Sequence, residues 1–217
     1  MKKEKAPRER KIQFFSEDTQ RLYQLFPTKG IPTLKISGVP MHRHTKIDPL
    51  EDTMTKVVAV KPRGIILDTC TGLGYTAIYS AKNQEVEKVI TIERDENVAE
   101  IAKMNIASAE LFDNKKIDRR IGDSYEEIVK FAPSTFDIII HDPPTFTMSP
   151  DLYTERFYKD AFRVLKSGGR LWHYCPAPGK LKGDDKLRIR TIDRLIKAGF
   201  RNVFYDEKSS GITADKQ

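Results

Sequence analysis

Leu67-Asp68-Thr69-Cys70-Thr71-Gly72-Leu73-Gly74-Tyr75-Thr76 carries an apolar run, Ile65-Ile66-Leu67, through an acid and two glycines into a stretch with helical spacing. Glycine lets a backbone approach a bound molecule closely, and parallel sheets bind ligands beyond the carboxyl ends of their strands. The third glycine of a dinucleotide-binding G-x-G-x-x-G is missing, because Ala77 stands in its place. Asp68, ahead of the glycines, would repel a pyrophosphate and suits an ammonium. Glu93 closes the next apolar run, 25 residues after Asp68. There a carboxylate is suited to accept both hydroxyls of a ribose.

Outward from this loop, short β-type runs alternate with helical stretches. Strands are expected at Ile65 to Asp68, Lys88 to Glu93, Ile117 to Ile121, Phe136 to His141, Arg170 to Tyr174, Asn202 to Tyr205 and Ile212 to Ala214. Helices are expected at Thr76 to Ala81, Glu96 to Ser108, Tyr125 to Phe131, Asp151 to Val164 and Leu187 to Ala198. Near-continuous apolar strands need a sheet covered on both faces, so the fold class is α/β with a doubly wound, mostly parallel sheet. Upstream lie a basic tail over residues 1 to 12, an aromatic-rich segment from Phe14 to Phe26, and a small hairpin from Thr33 to His42. A polar stretch, His42 to Thr53, then leads into a helix ending at Val60. The expected division is 1–60 for tail, hairpin and leading helix, and 61–217 for a Rossmann-like domain.

A chain of 217 residues, 39% hydrophobic, can bury a substantial core. Thirty-eight Lys and Arg against 31 Asp and Glu give a net charge of +7, which favours a polyanionic partner. The start is charged and lacks a signal-peptide apolar run, and no 18-residue apolar stretch is available to span a membrane. Cys70 and Cys175 have no zinc-type spacing. A cytoplasmic protein with no metal and no membrane association is expected. The sequence does not specify its oligomeric state.

His141-Asp142-Pro143-Pro144-Thr145-Phe146 ends the fourth core strand. A double proline makes a stiff turn that can aim carbonyl oxygens into a site. Asp142 and the Pro143 carbonyl can accept hydrogens from an amino group, Phe146 can stack a flat base, and His141 has the pKa range of a proton acceptor. In the Met41-His42-Arg43-His44 segment, His42 and Arg43 are candidates to hold an anionic substrate group.

Taken in order, L-D-T-C-T-G-L-G-Y-T, T-I-E-R-D, I-G-D-S and H-D-P-P-T-F resemble the motifs of class I S-adenosylmethionine-dependent methyltransferases. M-H-R-H-T-K-I-D-P-L-E-D-T together with the glycine loop resembles a group of archaeal methyltransferases. The resemblance implies a seven-stranded sheet with an antiparallel last strand and S-adenosyl-L-methionine as cofactor. It would place Asp68, Gly72 and Gly74 around the methionine end, Glu93 at the ribose and Arg94 over the adenine, with Asp123 accepting from the adenine amino group. Thr69, Tyr75, Thr76, Ser124 and Asp142 would complete that site. Asp123 is equally a good helix N-cap.

The double-proline turn resembles N-P-P-Y of amino-group methyltransferases, with Asp in place of Asn and the aromatic one residue later, and the D-P-P-T-F of some ribosomal RNA methyltransferases. The expected activity is methylation of a nucleobase in RNA. Phosphate contacts would come from the tail, Arg119-Arg120, the Gly179 to Gly183 run, Lys186, Arg188 and Arg190. The alternative is a small-molecule methyltransferase or aminopropyltransferase, with Asp48, Glu51 and Asp52 lining a pocket for a cationic polyamine. A catalytically silent binding module is a third reading, which the intact acidic and glycine positions oppose.

Overall fold

The computed structural model describes residues 11–176 and 184–217, so most of the basic tail and the Gly179 to Gly183 run lie outside the described residues. The chain opens with β1 (Gln13–Ser16), β2 (Arg21–Phe26), β3 (Thr33–Ile36) and β4 (Val39–Pro40), paired antiparallel in that order. The expected hairpin is therefore half of a four-stranded sheet, with the aromatic-rich segment as the other half. Ser37 and Gly38 both have positive φ, as a two-residue turn between twisted strands needs. Tyr23, Leu25, Leu34 and Ile36 face inward, while Phe15 and Leu22 face solvent.

Helix α1 (Pro49–Val60) starts where Asp48 accepts a hydrogen bond from the Leu50 N–H and Pro49 presets the first turn. Then follow β5 (Gly64–Asp68), α2 (Tyr75–Ala81), β6 (Val86–Glu93), α3 (Glu96–Lys103), α4 (Ala109–Asp113) and β7 (Ile117–Ile121). The second half comprises α5 (Ser124–Glu127), β8 (Phe136–His141), α6 (Glu155–Val164), β9 (Leu165–Tyr174), α7 (Asp184–Ala198), β10 (Arg201–Asp206) and β11 (Gly211–Asp215). The main sheet has seven strands in the order β10-β11-β9-β8-β5-β6-β7. β5 to β9 run parallel, and β11 is antiparallel to both of its neighbours.

Alternate residues of the same strands feed opposite faces. Ile66, Ile138 and Ile140 join Tyr23, Leu34 and Ala77 on one side, whereas Leu67, Ile139 and Leu171 join Phe157 and Leu195 on the other. Each of the fully buried isoleucines contributes about 2 kcal/mol of transfer free energy.

Three of the expected helices are interrupted. Asn105 caps a 3-10 turn after α3, α5 passes into a 3-10 turn at Ile128, and Thr154 caps α6 only after a 3-10 turn over Pro150–Tyr153. β9 begins five residues before the expected Arg170, because Gly168 at φ 76° lets an irregular strand form through Ser167-Gly168-Gly169.

Candidate active site

Sheet order reverses between β5 and β8, and the cavity opens beyond the carboxyl ends of these strands and β6, as the doubly wound rule requires. It encloses about 1060 Å³ including its open mouth, and Leu34, Ile36 and His42 cover it from the N-terminal side.

On the β5 side, Gly72 (φ 54°) lines the cavity, and Gly74 (φ 79°) is the left-handed N-cap of α2. The loop is fixed from beneath. Thr71 and Thr91 share a hydroxyl hydrogen bond of 2.7 Å, and the Ser124 hydroxyl donates to the Thr69 carbonyl. Thr69, Tyr75 and Thr76 also reach the wall. Tyr75 donates to the Pro32 carbonyl at 2.9 Å and stacks at a tilt on His42.

Asp68 corrects the expectation that it meets the ligand. It lies fully buried behind the loop, off the cavity wall, with Oδ2 accepting from Thr91 (2.9 Å) and Thr76 (3.2 Å). Burial lifts its carboxyl to about 7 against the pull of those hydroxyls.

Glu93 does reach the wall. Its Oε2 accepts from the Gly72 N–H and its Oε1 from the Asp95 N–H, each at 2.9 Å. Enclosure lifts this carboxyl too to about 7. Asp95 caps α3 and receives the Tyr23 hydroxyl at 2.5 Å, which ties β2 of the roof to the turn holding Glu93. Asp123 is the helix N-cap, with Oδ1 capping α5, and its Oδ2 meets Arg94 at 3.3 Å on the wall.

At the other end, Asp142, Pro143 and Pro144 line the cavity, and the Pro144 carbonyl accepts from Tyr153 at 2.8 Å. Asp142 is not a free acid. Its Oδ2 lies 2.7 Å from the Lys56 ammonium, which also lies 2.9 Å from Asp52. Burial pushes the Asp142 carboxyl up while Lys56 pulls it back. Burial also opposes the charge on Lys56, but Asp142 and Asp52 more than offset it and hold the ammonium above its ordinary range. Sequence reading missed Lys56. Its one signal is the i,i+4 spacing from Asp52 on α1.

Three other candidates are corrected. Arg43 is spent on protein groups: it pairs with Asp52 and donates to Ser210 (2.6 Å), Thr55 (3.2 Å) and the Lys208 carbonyl (3.1 Å), off the cavity wall. The His141 ring is fully buried, with Nδ1 on the Thr69 hydroxyl (2.7 Å) and Nε2 on the Leu152 carbonyl (2.9 Å). Burial and His173 keep it well below the usual histidine range, so it is a neutral packed residue. Phe146 stands outside the cavity, 45% exposed, with its ring edge-on to Tyr153.

His42 is on the wall, sharing a hydrogen bond with Thr33 at 3.0 Å. Burial and Lys56 take its pKa down to about 3, so its imidazole is neutral. Of the acids considered for a polyamine pocket, Asp48 is a helix cap, Glu51 is exposed, and Asp52 is buried between two cations. Among the described residues no helix is long and apolar enough to cross a membrane.

The sequence profile of the family described as Methyltransferase small domain matches residues 36–182. An uncharacterized protein of Methanocaldococcus jannaschii is 46% identical over 196 residues, which cover 89% of this chain and 67% of that protein. The chain also matches polyamine aminopropyltransferases, spanning half or less of the length of each.

Spermidine synthase from Thermotoga maritima superposes with a TM-score of 0.69 at 22% identity, covering 94% of this chain and 71% of that one. A structure described as an S-adenosyl-L-methionine-dependent methyltransferase from Methanococcus maripaludis gives 0.53 at 17% identity, covering 78% and 86%. These structures share the fold. Because the profile spans more than half of the chain, from β3 past the double-proline turn, the protein belongs to the family of small methyltransferase domains, a class I family that takes its methyl group from S-adenosylmethionine.

Proposed function

We propose that the protein methylates a nucleobase in RNA at the Asp142–Pro143–Pro144 turn. The observation that carries this reading is the charge at that end of the cavity. Asp142 is balanced by Lys56 and Asp52 by Arg43, so the acceptor end has no surplus negative charge to draw a polyamine.

The residues present fit the cofactor. A Cβ at Gly72 would meet no protein atom within 4 Å, leaving the loop backbone open to a close ligand. Each Glu93 oxygen takes one backbone N–H and retains a lone pair for a ribose hydroxyl. In this reading Asp123 accepts from the adenine amino group, and Ile92 and Val98, which also line the cavity, offer apolar wall. When bound, S-adenosylmethionine supplies an electrophilic methyl on a sulfonium.

Asp142 and the Pro143 carbonyl hold the hydrogens of an amino nucleophile and so orient its lone pair. Asp142 would take the proton released as the nitrogen–carbon bond forms and the sulfur–methyl bond breaks, with a neutral thioether leaving. Phe146, outside the cavity, offers its exposed ring to a neighbouring base. Exposed Arg119, Lys186 and Arg190 add phosphate contacts.

Aminopropyl transfer is the second reading, supported by the spermidine synthase likeness over 94% of the chain. Parallel incubations with methyl-labelled S-adenosylmethionine and with decarboxylated S-adenosylmethionine labelled in its aminopropyl group, each with total RNA and a putrescine–spermidine mixture, test the two, because aminopropyl transfer leaves the methyl on sulfur. Label is expected in RNA; label confined to the small molecules overturns the proposal. Asp142→Ala is expected to slow transfer by at least about 100-fold with cofactor affinity nearly unchanged, and an unaltered rate refutes its assigned role.

A further inference from the structure

Lys56 lies at the acceptor end of the cavity. α1 delivers it from outside the sheet, its side chain is 3% exposed, and that small exposure is to the cavity beside Asp142, Thr53 and His42. An ammonium carries three hydrogens and accepts none. One is donated to Asp142 at 2.7 Å, and Asp52 lies in ion-pair contact at 2.9 Å. The Trp172 and Tyr174 rings, with centroids at 5.6 and 5.7 Å, flank the group on the protein side. A buried polar hydrogen calls for an acceptor, and the cavity is where one can be supplied. His42, held neutral by burial, adds no charge there.

Lys56 and Asp142 therefore present a donor beside an acceptor. The matching ligand edge has an oxygen or ring nitrogen next to an N–H. A protonated alkylamine has only hydrogens to offer, and it would bring a second cation against Lys56.

We propose that Lys56 is a specificity-determining residue that binds a hydrogen-bond-accepting oxygen or ring nitrogen of the methyl acceptor and turns away protonated amines. This rests on the reading above that the acceptor binds beside Asp142.

The test uses the full chain saturated with S-adenosylhomocysteine and titrated calorimetrically with spermidine, alongside the labelled-RNA assay. The wild-type protein is expected to show no spermidine binding up to about 1 mM. Lys56→Gln is expected to bind spermidine at least about tenfold more tightly and to lose at least about tenfold in transfer to RNA. Lys56→Arg, which keeps a cation with donors, is expected to restore RNA transfer and still exclude spermidine.

If Lys56→Gln does not unfold cooperatively, the charge-balanced pair Asp52→Asn with Lys56→Gln carries the same expectation. Micromolar spermidine binding by the wild type, or substituted proteins with unchanged spermidine affinity, overturns the proposal. If the wild type labels no RNA at all, the RNA reading fails and the spermidine arm alone decides the role of Lys56.

Discussion

Glu93 holds a carboxyl near 7 at the point where a ribose is to be bound. Ribose hydroxyls donate to the ionised form, so cofactor binding favours loss of its proton. Affinity is expected to fall as pH drops below about 7, approaching tenfold per unit at the steepest. Calorimetry in buffers of different ionisation enthalpy should show proton release at pH 6 that vanishes by pH 8.5, roughly a unit and a half above that pKa. Glu93→Gln should abolish this dependence and weaken binding by about tenfold or more; pH-independent affinity in the wild type contradicts the assignment. At this scale spacing located Glu93 and Asp142 on the wall but misjudged His141 and Asp68. Neighbours at a strand end leave on opposite faces, and sequence alone does not say which face meets the cavity. Lys56 escaped notice because the partner that gives it meaning is 86 positions away.

Among the elements, the turn into α2 and the N-terminal sheet are the most informative. Gly74 combines positive φ with a Cβ position 2.6 Å from the Leu111 side chain. Gly74→Ala is therefore expected to cost about 1–3 kcal/mol of stability, measurable by urea unfolding; a loss within error would show the turn relaxes freely. Tyr23→Phe removes only the hydroxyl that reaches Asp95. The expected cost is about 1–2 kcal/mol, together with weaker cofactor binding, since Asp95 also positions Glu93 through its N–H. Equal cofactor affinity in the two proteins would uncouple the roof from the site. The core strands were legible because they are apolar on both faces. β1 and β2 were not, because Phe14-Phe15 and Leu22-Tyr23 place large apolar residues on both faces and hide the period of two.

For the molecule as a whole, the fully buried Asp68 opposes the usual effect of pH on a carboxylate. Its folded pKa of about 7 stands above the ordinary value near 4, so between these the folded state binds more protons than the unfolded. Its contribution to stability is greatest below about pH 4 and declines as pH rises towards and through about 7, by on the order of 4 kcal/mol. Asp68→Asn does not titrate, so its unfolding free energy should gain on the wild type from pH 5 to 8, a span set by that pKa; parallel curves would mean that Asp68 titrates normally. The sheet class was readable from the alternating apolar runs, and its antiparallel last strand was implied by the resemblance to class I methyltransferases. The closure of the acceptor end was not, because it joins distant parts of the chain. Arg43, which anchors the ion pairs leading to Lys56 and Asp142, is held by the Ser210 hydroxyl 167 positions later. A ribosome adding roughly 5–20 residues per second needs about 8 to 33 seconds to cover that interval. Over the last 66 positions of that interval, from Pro144 to Ser210, the nascent chain has its glycine loop and double-proline turn but lacks the clasp on Arg43, so the acceptor end is among the last parts of the protein to be completed.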